Sequence, residues 1–147
     1  MPDASSLLNE GVALLRRGNA VKARTCFERL NKAEPSNPLG LSYLGVSLAL
    51  TDRNFSDGED FCFRAVLKGM GNAQLHANLA WVYYLAGKRK SALTELEEAK
   101  SRDPGNPDAL RIERMFGKRQ SPPISVLPRN HPLNKGLGKI LYKLKGK

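Results

Sequence analysis

Apolar residues along the first hundred positions recur every three or four residues, in short runs separated by polar turns. Leu7, Gly11 and Leu14 follow this spacing, Gly18 interrupts it, and it resumes over residues 21–30. Such spacing places the apolar residues on one stripe of a helix. Glycine at the break suits the left-handed conformation that often ends a helix. The pattern therefore predicts two short helices that form an antiparallel pair.

The same arrangement returns twice, as three consecutive copies of 34 or 35 residues. The outer copies align in one register, because Gly18 to Gly87 and Pro35 to Pro104 are both steps of 69 positions. A fixed period of this length is typical of a repeat protein. We predict helical hairpins over about residues 4–37, 38–72 and 73–106.

Each copy also carries the small and large residues of a known repeat, W-x2-L-G-x2-Y, then A-x3-F, then P. The first copy supplies Leu7, Gly11, Leu14, Ala23, Phe27 and Pro35, and the third supplies His76, Ala80, Tyr83, Ala92, Leu96 and Pro104. The second copy departs from the pattern at Gly58, Cys62 and Met70. Over residues 4–106 the chain resembles the tetratricopeptide repeat (TPR) family. The resemblance implies an all-α fold, a TPR α-solenoid of three helix-turn-helix repeats.

The pattern changes after the third copy. A more polar helix is predicted over residues 107–118, where it would cap the stack and complete a domain of residues 1–118. Residues 119–147 are predicted to form a Pro-containing basic tail, with a short amphipathic helix over 133–145.

The resemblance implies a concave groove, lined by the first helix of every pair, in which an apolar peptide or a partner helix would lie. Tyr43, Trp81 and Tyr84 would be its large anchors, although any single groove residue could instead pack between helices. Carried over by register, the groove positions are Leu8, Val12, Leu15, Ser42, Tyr43, Val46, Ala49, Leu50, Ala77, Asn78, Trp81, Tyr84 and Leu85.

Some members of the family hold a peptide's terminal carboxylate with a clamp of Lys, Asn and Arg. The corresponding positions here are Leu8, Val12, Ser42 and Val46, with Asn78 as the single polar match. This departure argues against a carboxylate clamp and favours an apolar ligand.

Positive charge is concentrated at the end of the chain. Eight of the 24 Lys and Arg residues follow Gly117, where Asp and Glu do not occur, whereas the whole chain carries +10. The tail has three open interpretations: a solvated terminus, an apolar face docked on its own chain or on a second subunit, and contact with an acidic membrane or nucleic acid. The residues predicted to make tail contacts are Leu137, Lys139, Ile140, Leu141, Lys143 and Leu144.

The sequence contains few motifs that indicate a catalytic, metal or cofactor site. Neither a metal site nor a cofactor motif is found, and the two cysteines form no disulfide framework. Residues 1–18 carry neither a basic leader nor an apolar signal core, so we expect a cytoplasmic protein. Two hypotheses of function follow: a non-enzymatic adaptor, scaffold or chaperone-like module that binds a protein or peptide, with self-association through the tail, or a targeting module whose tail binds acidic membrane or nucleic acid.

Overall fold

Seven α-helices account for most of residues 2–119, the part of the chain that the computed structural model describes. They are α1 (Ala4–Arg16), α2 (Ala20–Ala33), α3 (Pro38–Asp52), α4 (Phe55–Lys68), α5 (Ala73–Leu85), α6 (Arg89–Arg102) and α7 (Pro107–Arg119). The first six pair into three hairpins, and no strand occurs in this part of the chain. The all-α fold class predicted from the repeats is confirmed.

Polar side chains set where the helices begin. At the start of five helices a side-chain oxygen accepts a hydrogen bond from the backbone N–H three residues later, which satisfies one of the free donors of the first turn. The five capping residues are Asp3, Asn19, Asn37, Asn54 and Asn106. Pro38 and Pro107 follow two of these caps in the first turn, where a missing N–H costs nothing.

The turns inside the hairpins need left-handed backbone. Gly18 and Gly87 supply it in the first and third hairpins, with φ angles of 84° and 80°. In the second hairpin the left-handed residue is Arg53, with φ of 53°, directly after the end of α3. A side chain is strained in this conformation, so the second hairpin closes at a less favourable residue than the other two.

The hairpins stack so that each first helix contacts the first helix of the next hairpin. Helix α1 contacts α3, α3 contacts α5, and the second helices α2 and α4 each lie against two first helices. Helix α3 therefore has neighbours on all sides, and every residue from 40 to 49 is buried. Close packing requires glycine here, because a Cβ at Gly45 would lie 2.7 Å from the carbonyl oxygen of Gly58 on α4.

The chain divides into two compact units, Met1–Ile112 and Glu113–Lys147. The first holds the three hairpins and the beginning of α7, and the described part of the second is the end of α7. The predicted amphipathic helix over 133–145, the six predicted tail-contact residues, tail-mediated self-association and binding of the tail to acidic membrane or nucleic acid all concern positions outside the described residues.

Candidate functional site

A hollow of about 340 Å³ lies on the face formed by the first helices of the three hairpins. Its volume is near the lower end of the range for ligand pockets, roughly 300 to 1,000 Å³. One side is apolar and the other carries amide and guanidinium groups. The lining residues are Leu8, Asn9, Val12, Ala13, Arg16, Leu39, Tyr43, Asn72 and Gln74.

Tyr43 borders the hollow with the small part of its side chain that stays accessible. Only 4% of the residue is exposed, and its ring stacks on Phe27 with centroids 5.2 Å apart and an interplanar angle of 14°. Burial, reinforced by the negative charge of Asp108, raises the pKa of the Tyr43 hydroxyl well above its ordinary value. The hydroxyl is therefore a neutral hydrogen-bonding group at physiological pH.

A chain of hydrogen bonds joins the hollow to α7. The Gln74 side-chain N–H₂ donates to Asn78 at 3.0 Å and to the Asp108 carboxylate at 2.9 Å. Asn78, which is fully buried, donates in turn to the hydroxyl of Ser42 at 3.0 Å. Asn106 donates to the side-chain oxygen of Gln74 at 3.1 Å. These bonds satisfy buried polar groups, so the network holds α3, α5 and α7 in one arrangement.

Two arginines lie beside this network. Nitrogen atoms of Arg16 and Arg111 are 3.8 Å and 3.6 Å from the Asp108 carboxylate. The Arg111 guanidinium also lies over the Trp81 ring, 4.0 Å from its centroid, which is a cation–π contact. One face of Trp81 is therefore covered by its own chain. Arg16, whose side chain is 56% exposed, stays accessible at the edge of the hollow.

The structure divides the thirteen groove positions of the sequence analysis into two groups. Six are partly exposed, namely Leu8, Val12, Leu50, Trp81, Tyr84 and Leu85. Seven are buried, namely Leu15, Ser42, Tyr43, Val46, Ala49, Ala77 and Asn78. Leu8, Val12 and Tyr43 meet at the hollow. Five of the eleven apolar positions expected to form the strip are thus interior packing, since α3 and α5 lie between other helices and bury residues on the predicted groove side as well.

Sequence reasoning missed several residues that shape the hollow. Asn9, Ala13 and Arg16 follow a spacing of four and three along α1, beside the stripe of Leu8 and Val12. Only one line of α1 residues was assigned to the groove from the sequence, and a prediction that included the neighbouring line would have found these three residues. Leu39, Asn72 and Gln74 lie in the first turns of α3 and α5 or just before them, and Asp108 and Arg111 belong to the helix treated as a cap. No repeat-based register points to these five.

The histidine and the two cysteines of the described residues do not line the hollow. His76 Nδ1 lies 2.7 Å from the Glu95 carboxylate, away from the hollow. Cys26 and Cys62 are free and buried, and burial raises the pKa of both thiols. Within residues 2–119 no cluster of three or more His, Cys, Asp or Glu could hold a metal ion. In the same part of the chain, every helix is too short or too polar to cross a membrane.

The chain matches a model of the tetratricopeptide repeat at residues 4–29 and 73–98, which are in the first and third hairpins. The unmatched second hairpin is the one whose sequence departs from the repeat pattern. Among curated protein sequences, none matches this chain.

Several solved structures with a similar fold are TPR domains. The first TPR domain of human RPAP3 is 19% identical with a TM-score of 0.62, covering 78% of this chain and 90% of that one. The first TPR of Spaghetti (RPAP3), bound to the HSP90 peptide SRMEEVD, is 19% identical with a TM-score of 0.61, covering 79% and 94%. The TPR2B domain of yeast Sti1, in a complex with pHsp70, is 20% identical with a TM-score of 0.60, covering 78% and 94%.

Proposed function

We propose that this chain, whose first and third hairpins match a model of the tetratricopeptide repeat, is a non-enzymatic interaction module that binds a short peptide segment of another protein in the hollow. The proposal rests on one observation: residues from the first helices of all three hairpins, or from just before them, line the same hollow. Peptide-binding neighbours such as the Spaghetti and Sti1 domains support the class of function.

The lining favours a ligand with a large apolar side chain. Leu8, Val12 and Leu39 form an apolar wall, and the accessible edge of Tyr43 continues it. A volume of about 340 Å³ accommodates a few side chains of a peptide, rather than the whole face of a long helix. Apolar area removed from water by such a side chain would supply most of the affinity.

Polar groups on the other side would orient the segment. Asn9 and Asn72 can hydrogen-bond to a peptide backbone, and Arg16 adds a positive charge at the rim. Charge at a rim changes association rate and specificity more than it changes affinity. We therefore propose an apolar side chain as the anchor and an acidic or polar neighbour as the orienting group.

A terminal-carboxylate ligand of the HSP type is not the one we propose. Two of the positions that correspond to the family's clamp, Leu8 and Val12, are in the apolar wall. Ser42 and Val46, at two further positions, are fully buried. The chain therefore presents no pair of basic side chains at these positions to hold a carboxylate.

The experiment is a selection of peptides followed by titration. The full chain is used to select binders from a random peptide display library, and the best peptide is titrated calorimetrically against wild type and two variants. Val12→Glu introduces a charge into the apolar wall, and Val21→Glu is the matched control, since Val21 is 70% exposed on α2 outside the hollow. We expect Val12→Glu to weaken binding about tenfold or more and Val21→Glu to leave it unchanged.

Two results would contradict the proposal. One is a selected peptide that binds the Val12→Glu variant as tightly as wild type. The other is tight binding of SRMEEVD that Arg16→Ala abolishes and Val12→Glu does not, which would indicate recognition of a carboxylate. Circular dichroism of each variant shows whether the fold is intact.

A further inference from the structure

The outward side of α4 carries an apolar stripe that nothing in the described chain covers. Phe63 is 50% exposed, Leu67 is 59% exposed, and Met70, two residues beyond the end of α4, is 85% exposed. The spacing of four residues places Phe63 and Leu67 on one side of the helix, and Met70 follows in the turn after it. The opposite side of α4, at Cys62 and Ala65, is buried. Exposed apolar side chains grouped in this way mark a contact surface more often than single ones do.

The charges along α4 are arranged so that the helix complements a second copy of itself. Asp57 and Asp60 lie in its first half, and Arg64 and Lys68 in its second half. At spacings of three and four residues, these four side chains follow one edge of the apolar stripe. In an antiparallel pair of such helices the same edges face each other, so each acidic half lies beside a basic half. A parallel twofold pair would place the two charged edges on opposite sides of the seam, where they could not pair with each other.

We propose that two copies of this chain associate through this α4 stripe, with α4 antiparallel to α4 of the second copy about a twofold axis. A twofold contact uses the same patch on both subunits, as this one does. In the register that places Phe63 between Phe63 and Leu67 of the second copy, Asp60 lies opposite Lys68. This register also brings the two Arg64 side chains close to the twofold axis. Each Arg64 pairs with Asp60 of its own helix at 3.2 Å, which reduces the repulsion between them.

The size of the surface sets the strength of the contact. Three side chains provide less than the roughly 800 Å² per subunit that a stable interface buries. The net charge of +10 also opposes association of identical chains, more so at low salt. We therefore expect a weak, reversible dimer, with a dissociation constant on the order of 100 µM to 1 mM.

The test begins with sedimentation velocity of the full chain from about 20 µM to about 1 mM at about 0.15 M salt, a range that spans the expected constant. Wild type should show a mean sedimentation coefficient that rises with concentration. Phe63→Glu should abolish the rise, whereas Val21→Glu, which puts the same charge on another exposed apolar residue, should not.

Charge reversal tests the orientation. Asp60→Lys and Lys68→Glu each place like charges opposite each other in the antiparallel dimer and should weaken it about tenfold. An equal mixture of the two variants restores opposite charges at both contacts, so the mixture should associate at least as strongly as wild type. A variant that had lost its fold would not regain association in this way.

Three results would overturn the proposal. They are a wild-type chain that stays monomeric up to about 1 mM, a loss of association in Val21→Glu equal to that in Phe63→Glu, and a mixture no stronger than its components. A monomer in which Phe63→Glu shifts the ¹H–¹⁵N resonances of residues 133–145 would instead assign the stripe to the chain's own basic segment. Because the stripe shares no residue with the hollow, peptide binding can fail while dimerisation stands, and the reverse.

Discussion

Replacing Gly45 by alanine tests the close approach of α3 and α4 at the centre of the stack. A methyl group at this position would lie 2.7 Å from the Gly58 carbonyl oxygen, 2.9 Å from the Cys62 sulfur and 3.1 Å from Phe61 Cβ. The nearest of these atoms belongs to the backbone, which cannot rotate away. To reach ordinary contact distance, the two helices must separate by several tenths of an ångström.

Two opposing effects decide the magnitude. Alanine is favoured over glycine inside a helix by about 1 kcal/mol. Overpacking a core costs about 1 to 3 kcal/mol, and three close contacts, including one to backbone and one to a fully buried sulfur, place this site near the upper value. We expect Gly45→Ala to lower the free energy of unfolding by about 2 kcal/mol and the melting temperature by several degrees.

The assay is urea unfolding followed by circular dichroism, with Gly117→Ala as the matched control. Gly117 is also in a helix, but a Cβ there meets no atom of residues 2–119 within 4 Å. The control should therefore be neutral or stabilising by up to about 1 kcal/mol. If Gly45→Ala were as stable as wild type while the control behaved as expected, the close approach would not limit packing and the reasoning would be refuted.

Three further substitutions test other features of the fold. Arg53→Gly relieves the left-handed backbone strain at the end of α3 but removes the cation–π contact over the Phe55 ring. We expect the free energy of unfolding, measured in urea, to rise by about 0.5 kcal/mol. A decrease would show that the contact over Phe55 outweighs the strain. Burial raises the pKa of the Cys62 thiol from 9.0 to about 12. Between these two pH values the thiol loses its proton in the unfolded chain but keeps it in the folded chain. The free energy of unfolding should therefore fall as the pH rises, by up to about 1.4 kcal/mol per pH unit. Urea midpoints across this alkaline range should decline less steeply in Cys62→Ala, and equal slopes would contradict the assigned shift. Asn78→Ala leaves the buried Ser42 hydroxyl without its donor and should lower the free energy of unfolding by about 1 to 3 kcal/mol. A double-mutant cycle with Ser42→Ala should show a coupling energy between the two residues, and a coupling energy of zero would contradict a contribution of this hydrogen bond.

Much of the fold could be predicted from the sequence because its determinants are local. The spacing of apolar residues, the capping residues Asn37 and Asn106, and the turn glycines Gly18 and Gly87 each act within a few positions along the chain. The period of 34 or 35 residues then indicated how hairpins of one kind stack. In the second hairpin, Arg53 occupies the left-handed position that glycine takes in the other two, a role that no local pattern predicted.

The candidate site was predictable only in part, since exposure depends on neighbours that are distant in sequence. The sequence by itself determined that the first helices would share a face and that Leu8 and Val12 would lie on it. The tertiary structure decided that α3 is enclosed, so that Val46 and most of Tyr43 are buried. It also decided that Arg111 of α7 covers a face of Trp81. Periodicity specifies which side of a helix is apolar, whereas the surface left open depends on how many helices pack around it.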